Sequence, residues 1–191
     1  MISDIIRRVS REIEGRFANA GNNARHLLEM VETAGDGNYL EIGVLHGGSL
    51  CSVALLKKAL GHKGLCVGVD PFDGQYYKRI NKVDTRRVPD TLETVQGNVA
   101  RFELDNVKLI QARSPEFEID LAFNVAYIDG DHSFEGAWAD WQKVSQLVSR
   151  FVVVHDYGAI KGVTEACEKM LEDPDWQLHL KSGFTFAVVR Q

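Results

Sequence analysis

The stretch NVAYIDGDHSFEGAWADW, residues 124–141, decides how this chain is to be read. Its first half, 124–129, is a short apolar run that ends in acid. Its second half opens residues 133–148, which have helical spacing. That is the pattern of a β-strand feeding a helix across a polar turn. The same grammar recurs downstream, where RFVVVHD (150–156) precedes a helix over 161–172 that stops near Pro174. Upstream, NYLEIG (38–43) leads into SLCSVALLKKAL (49–60), and GLCVGVD (64–70) and NVKLIQA (106–112) read as two further strands. Helices are expected over 2–18, 22–34 and 90–103, the last opened by Pro89-Asp90. The terminal DWQLHLKSGFTFAVVRQ reads as two strands joined through Ser182-Gly183, an antiparallel hairpin.

Strands alternating with helices predict an α/β protein. Its sheet is doubly wound, seven-stranded and mostly parallel, with an antiparallel hairpin strand at the C-terminal edge. The 191 residues suit one domain, and no repeat or linker divides them. Hydrophobic residues make up 45% and charged ones 26%, ordinary for a soluble globular chain. A net charge of −5 without any basic run argues against a nucleic-acid partner and favours a small molecule. Cys51, Cys66 and Cys167 stand apart in apolar contexts and read as buried free thiols of a reducing compartment. The N-terminal segment is amphipathic, neither signal peptide nor anchor, so no membrane role and a cytoplasmic location are expected.

In doubly wound sheets, ligands bind beyond the C-terminal ends of the strands, so the residues that end strands carry the chemistry. The first strand ends in LEIGVLHGGSL, where Gly43, Gly47 and Gly48 permit a tight turn with close backbone approach and Ser49 can cap the next helix. Glu41, in the strand beside that loop, needs a partner if buried. The G-x-x-x-G-G spacing is not that of dinucleotide enzymes. The second strand ends in Asp70, well placed to accept hydrogen bonds from both hydroxyls of a ribose, or simply to cap the next segment.

Two strands end in an aspartate close to a histidine: Asp129 with His132, and His155-Asp156. As neighbours, those strands would set Asp129 and Asp156 on one rim. The carboxylates would repel unless a cation lay between them. Oxygen ligands suit Mg²⁺ or Mn²⁺, with positions left open for water or a hydroxylated substrate. His132 then stands where it could accept the hydroxyl proton, although Asp131 and Ser133 beside it read as helix-capping residues.

LEIGVLHGGSL, GLCVGVDPFDG, VAYIDGDHSFEG and VVVHDYG, in that order, resemble the class I S-adenosylmethionine-dependent methyltransferases with their Rossmann-like fold. Within that group they are similar to small-molecule O-methyltransferases of the catechol and caffeoyl-CoA type, and most to a bacterial branch with an IDGDH motif that includes macrolide-sugar enzymes. The likeness spans about residues 36–190. It implies that Glu41, Gly43, Gly47 and Ser49 hold the methionine end of the cofactor, that Asp70 binds its ribose and that Ser114 contacts its adenine. It further implies that Asp129 and Asp156 bind a divalent cation. Catechol-type enzymes carry lysine at the position of His132, and the sugar-modifying branch carries histidine. In the catechol pattern an asparagine ligand follows the second aspartate, whereas this chain has Tyr157. That leaves His155 as a third metal ligand or an orienting neighbour.

The expected activity is O-methylation of a small sugar or phenolic hydroxyl by S-adenosylmethionine, with metal assistance. The alternatives are metal-independent methylation of another nucleophile and a cofactor-binding module without its own catalysis. Residues 71–89 read as an insertion, either a lid built on Gln75-Tyr76-Tyr77-Lys78-Arg79 or a solvated loop. The N-terminal helices, residues 1–35, would close the acceptor site or form a homodimer contact.

Overall fold

The structure, a computed structural model, describes residues 1–17, 21–74 and 88–191. Helices α1 (Ile2–Glu12) and α2 (Asn22–Ala34) precede β1 (Tyr39–Ile42), α3 (Gly48–Leu60) and β2 (Cys66–Asp70). Then come α4 (Leu92–Arg101), β3 (Val107–Gln111), a 3-10 turn (Ser114–Glu116), β4 (Phe123–Ile128) and α5 (Phe134–Val144). The chain closes with β5 (Val148–Val154), α6 (Lys161–Met170), β6 (Trp176–Ser182) and β7 (Thr185–Arg190).

The sheet has the order β3-β2-β1-β4-β5-β7-β6. Every pairing from β3 to β5 is parallel, and β7 runs antiparallel to both of its neighbours. The expected seven-stranded sheet with its terminal hairpin is therefore present. Alternate residues of the central strands face opposite layers. Tyr39, Val125, Tyr127, Phe151 and Val153 pack under α1–α4. Leu40, Ile42, Ile128, Val152 and Val154 pack against α5 and α6, where Trp141 meets Trp176 edge to face at 5.2 Å between ring centroids. Continuous burial of these strands is what a parallel sheet covered on both faces requires. The three cysteines are buried and unpaired.

Several local details differ from expectation. The first helix stops at Glu12 rather than 18, because acceptors on α4 and on the loop after β1 take later backbone amides. Glu14 N donates to Asn98 Oδ1 at 2.8 Å and Arg16 N to His46 Nδ1 at 3.2 Å. Between them Gly15 has φ +98°, and a Cβ there would lie 2.5 Å from the His46 ring. Ser49 does not cap α3, whose N-cap is Gly47 in the left-handed region (φ 83°); the serine side chain turns to Glu41 instead. Finally, α5 ends at Val144 and β5 starts at Val148, paired with Phe123, so His155 and Asp156 lie beyond the strand instead of within it. Of the insertion at 71–89, residues 75–87, including the Gln75–Arg79 stretch, lie outside the described residues.

Candidate active site at the ends of β1, β2, β4 and β5

Strand register assembles the site. Val69, Ile42, Ile128 and Val154 lie side by side across four parallel strands. The residue after each, Asp70, Gly43, Asp129 and His155, therefore falls on a single rim. Above that rim is a cavity of about 900 Å³ that runs from Arg113 and Ser114 past Asp70 to His132 and Asp156.

The loop after β1 forms the middle of the cavity wall. Gly43 N donates to Val69 O at 2.9 Å, and Asp129 N donates to Ile42 O at 2.8 Å, which locks β1 between its neighbours up to its last residue. Gly43 has φ +85°, and a Cβ on it would lie 2.2 Å from the Asp129 carbonyl oxygen. The glycine is thus required by the protein's own backbone. Asp70 holds the loop from the other side: Oδ2 accepts from Val44 N (2.8 Å) and Leu45 N (3.4 Å), and Oδ1 from Phe72 N (2.7 Å). Burial raises the Asp70 pKa, and those three amides pull it back. A carboxylate offers about four acceptor directions, so capacity remains on the cavity side.

Glu41 lies below the loop, fully buried, and does not line the cavity. Tyr39 Oη and Ser49 Oγ each donate to one of its oxygens at 2.6 Å. Burial lifts its pKa to about 8 against the pull of those two donors. It ties β1 to the first turn of α3, whose Ser49 does reach the cavity; Gly47 stays behind the wall as the N-cap. His46 also stays behind it, its Nε2 facing Val88 O at 2.9 Å.

At the far end the two aspartates and two histidines meet. His132 Nε2 lies 2.9 Å from Asp156 Oδ2 and 3.5 Å from Asp129 Oδ1. His155 Nδ1 lies 3.1 Å from Asp156 Oδ1 and 3.5 Å from Asp129 Oδ1. Asp156 reaches this position through a left-handed backbone turn, φ 63°, uncommon for a residue other than glycine. The field of Asp129 and Asp156 raises His132 to about 10. Burial alone would depress His155, but the same two carboxylates outweigh it and lift this imidazole to about 9. Burial would also raise Asp156, yet His132 and His155 hold it far below the ordinary carboxylate range.

The donor set fits a cation. Ligand atoms of Asp129, His132 and Asp156 lie within 4.8 Å of one another. Both facing ring nitrogens, His132 Nε2 and His155 Nδ1, are buried and make no hydrogen bond of good geometry despite their short separations from carboxylate oxygens. His155 stands outside the three-residue group, and its Nε2 lies 3.0 Å from Asn23 Nδ2. Tyr157, which replaces the asparagine of the catechol pattern, turns away: its hydroxyl donates to Glu168 Oε1 at 2.6 Å. Capping is performed by Ser133, which accepts from Gly136 N, and by Asp131, which accepts from Ser133 N.

Four lining residues were not foreseen. Asn23, in the first turn of α2, contacts His155 on one side and the Thr185 hydroxyl (3.2 Å) on the other. Arg16 and Phe17 line the cavity from the N-terminal segment, the Phe17 ring covering Gly48. No local motif announces them. Asp140, buried on α5, also lines the cavity, and for it a signal existed: it shares a helical face with Ala137, Trp141 and Val144, all buried.

The sheet with its reversed seventh strand, and the cavity along the carboxyl ends of its parallel strands, make up a Rossmann-like fold shared with solved O-methyltransferase structures. A family model described as "Methyltransferase domain" matches residues 40–157, and the chain belongs to that family. Similar solved structures include the O-methyltransferase NovP, with 21% identity, 88% of this chain and 78% of that one covered, and a TM-score of 0.68. An O-methyltransferase from Bacillus cereus in complex with SAH has 16% identity over 100% of this chain and 90% of that one, TM-score 0.68. CalS11, a TDP-rhamnose 3'-O-methyltransferase of calicheamicin biosynthesis, has 16% identity over 98% and 93%, TM-score 0.61. At such identities the likeness is one of fold. No curated protein matches the sequence.

Proposed function

We propose that this chain transfers the methyl group of S-adenosylmethionine to a hydroxyl of a small molecule, with assistance from a divalent cation. The observation that carries the reading is the cluster of Asp129, His132 and Asp156 at one end of a cavity whose other end is walled by the β1 loop and Ser114. In this reading the loop from Gly43 to Ser49 receives the methionine end of the cofactor, and Asp70 its ribose. The acceptor lies toward His132 and Asn23. NovP and the sugar methyltransferase CalS11, which share the fold, favour an oxygen acceptor, a sugar hydroxyl among them.

Asp129 and Asp156 would hold Mg²⁺ or Mn²⁺, which supplies Lewis acidity toward an acceptor hydroxyl and a fixed point for orienting it. The cofactor would supply an electrophilic methyl group with its thioether as leaving group, and His132 Nε2 would take the proton that the acceptor hydroxyl gives up. The cluster's electrostatics support the cation. With a pKa near 10, His132 is already protonated at neutral pH and cannot accept a proton. Neutralisation of the two carboxylates removes the field that raises it and returns the imidazole toward its ordinary range.

Titration of S-adenosylhomocysteine into the purified protein, with Mg²⁺ and then with EDTA, tests the reading. Cofactor heat in both buffers, with a Mg²⁺ isotherm that vanishes in Asp129→Ala, is the expected result. It should be joined by methylation of at least one hydroxylated acceptor in a panel, lost in His132→Ala. Activity that survives EDTA would favour the metal-independent reading, methylation of another small-molecule nucleophile. An absence of cofactor heat in either buffer refutes the methyltransferase assignment.

A further inference from the structure

The His–Asp end of the cavity carries one bare aromatic ring. Met1, Leu178 and Phe184 are the exposed large hydrophobic side chains among the described residues, and of these Phe184, 51% exposed, lines the cavity. Two residues on, Phe186 is fully buried, its ring against Tyr157 and under Lys181. Phe184 has no such ring or cation partner among the described residues. The backbone fixes where it stands. Gly183 and Phe184 form the two-residue turn between β6 and β7, closed by the Ser182–Thr185 pair, with Gly183 in the left-handed position at φ 56°. Antiparallel pairing of β7 with β5 sets Phe186 opposite Val154. Continued by one and two residues, that register brings Thr185 level with His155 and Phe184 level with Asp156. The bridge from Thr185 through Asn23 to His155, at 3.2 and 3.0 Å, bears out the first of those steps. Thr185 is 1% exposed, so the turn is anchored at its base while the ring at its tip stays open.

Around that ring the lining is polar: Asn23, Asp129, His132, His155 and Asp156. Both polar atoms of Asn23 already have partners. A hydroxyl brought to His132 and Asp156 therefore arrives with the rest of its molecule beside an aromatic face. We propose that Phe184 selects the acceptor: its ring stacks on an apolar ring face of the acceptor and so favours a hydroxyl carried on a ring over one carried on an open chain. The inference rests on the methyl-transfer reading above and adds to it the residue that sets the acceptor's shape. The attraction comes from apolar burial and ring-face geometry, which a phenolic ring and the C–H face of a pyranose both supply. It also accounts for a large apolar side chain at a turn position, where small and polar residues are usual.

The test is the binding of three vicinal diols to the full chain with S-adenosylhomocysteine and Mg²⁺ present, followed by NMR titration. The probes are catechol, methyl mannopyranoside and the ringless propane-1,2-diol. Wild type should bind at least one of the ring-bearing diols more tightly than propane-1,2-diol. Phe184→Ala should weaken that ring-bearing diol by about 5- to 30-fold and change propane-1,2-diol by less than about twofold. Phe184→Tyr, which keeps the ring, should stay close to wild type. A loss confined to catechol assigns the contact to a phenolic ring and one confined to the pyranoside assigns it to a sugar; either supports the proposal. A wild type with no preference for a ring overturns it. So does a Phe184→Ala protein that keeps the preference, or one that weakens all three diols by the same factor, the signature of a displaced cluster. Absence of S-adenosylhomocysteine binding, read in a separate titration without diols, refutes the methyltransferase reading first.

Discussion

Replacing Gly43 with alanine should loosen the whole rim, and the cost follows from two separate effects. The first is conformational. Gly43 sits at φ +85°, where an L-residue pays roughly 1–2 kcal/mol. The second is steric. The new methyl group would fall 2.2 Å from Asp129 O and 2.8 Å from Gly130 Cα, which are backbone atoms without a rotamer to change. Relief requires separating β1 from β4 at their ends, an overpacking strain of about 1–3 kcal/mol. Together they come to about 3 kcal/mol, a large part of a typical stability of about 5–15 kcal/mol. With an m-value of about 2–3 kcal/mol per M urea, the midpoint of unfolding should fall by about 1 M. Because the displaced atoms belong to Asp129 and Gly130, cofactor and Mg²⁺ affinity should fall with it in the protein that remains folded. A Gly43→Ala variant with unchanged urea midpoint and unchanged S-adenosylhomocysteine affinity would refute the close-packed junction between the cofactor loop and the acidic cluster.

The two imidazoles give a pH signature. Their folded pKa values, about 10 for His132 and about 9 for His155, lie above the ordinary 6.5, so the stability they contribute is complete below pH 6.5 and is lost as pH rises through 9 and 10. Melting curves in EDTA from pH 6 to 10.5 should therefore decline more steeply for wild type than for Asp156→Asn; parallel curves would contradict the coupling. Ser49→Ala leaves Glu41 Oε1 without its donor in a fully buried position and should cost about 1–3 kcal/mol. Losing that donor pushes the Glu41 pKa, already raised to about 8, further up, so the variant's deficit in urea denaturation should be larger at pH 9 than at pH 6. Trp141→Ala, which empties a buried site against Trp176, should lower stability by about 3–5 kcal/mol in the same assay, and a loss below 1 kcal/mol would mean that this face of the sheet is not packed as described.

Much of the architecture was written locally. Apolar runs ending in acid, each followed by helical spacing, are decided by residues within a dozen positions of one another, and they sufficed to specify strands, helices and the reversed hairpin. The same holds for Asp70, Asp129, His132 and Asp156, because in a doubly wound sheet every parallel strand points its C-terminal end at the same edge. What the sequence alone could not decide is how side chains distant in the chain share a few ångströms. Glu41 reads in the sequence as a carboxylate in need of a partner, and the fold supplies two, Tyr39 and Ser49, one for each of its oxygens. The first helix was expected to continue past Glu12, but Asn98 and His46, from elements far downstream, take later amides. Asn23 reaches His155 across more than a hundred residues, a contact no spacing rule encodes. Local sequence determined which elements form and which chemistry they carry to the rim. Tertiary packing decided which partner each polar group meets, because a buried hydrogen-bonding group takes whichever complement the fold brings within reach.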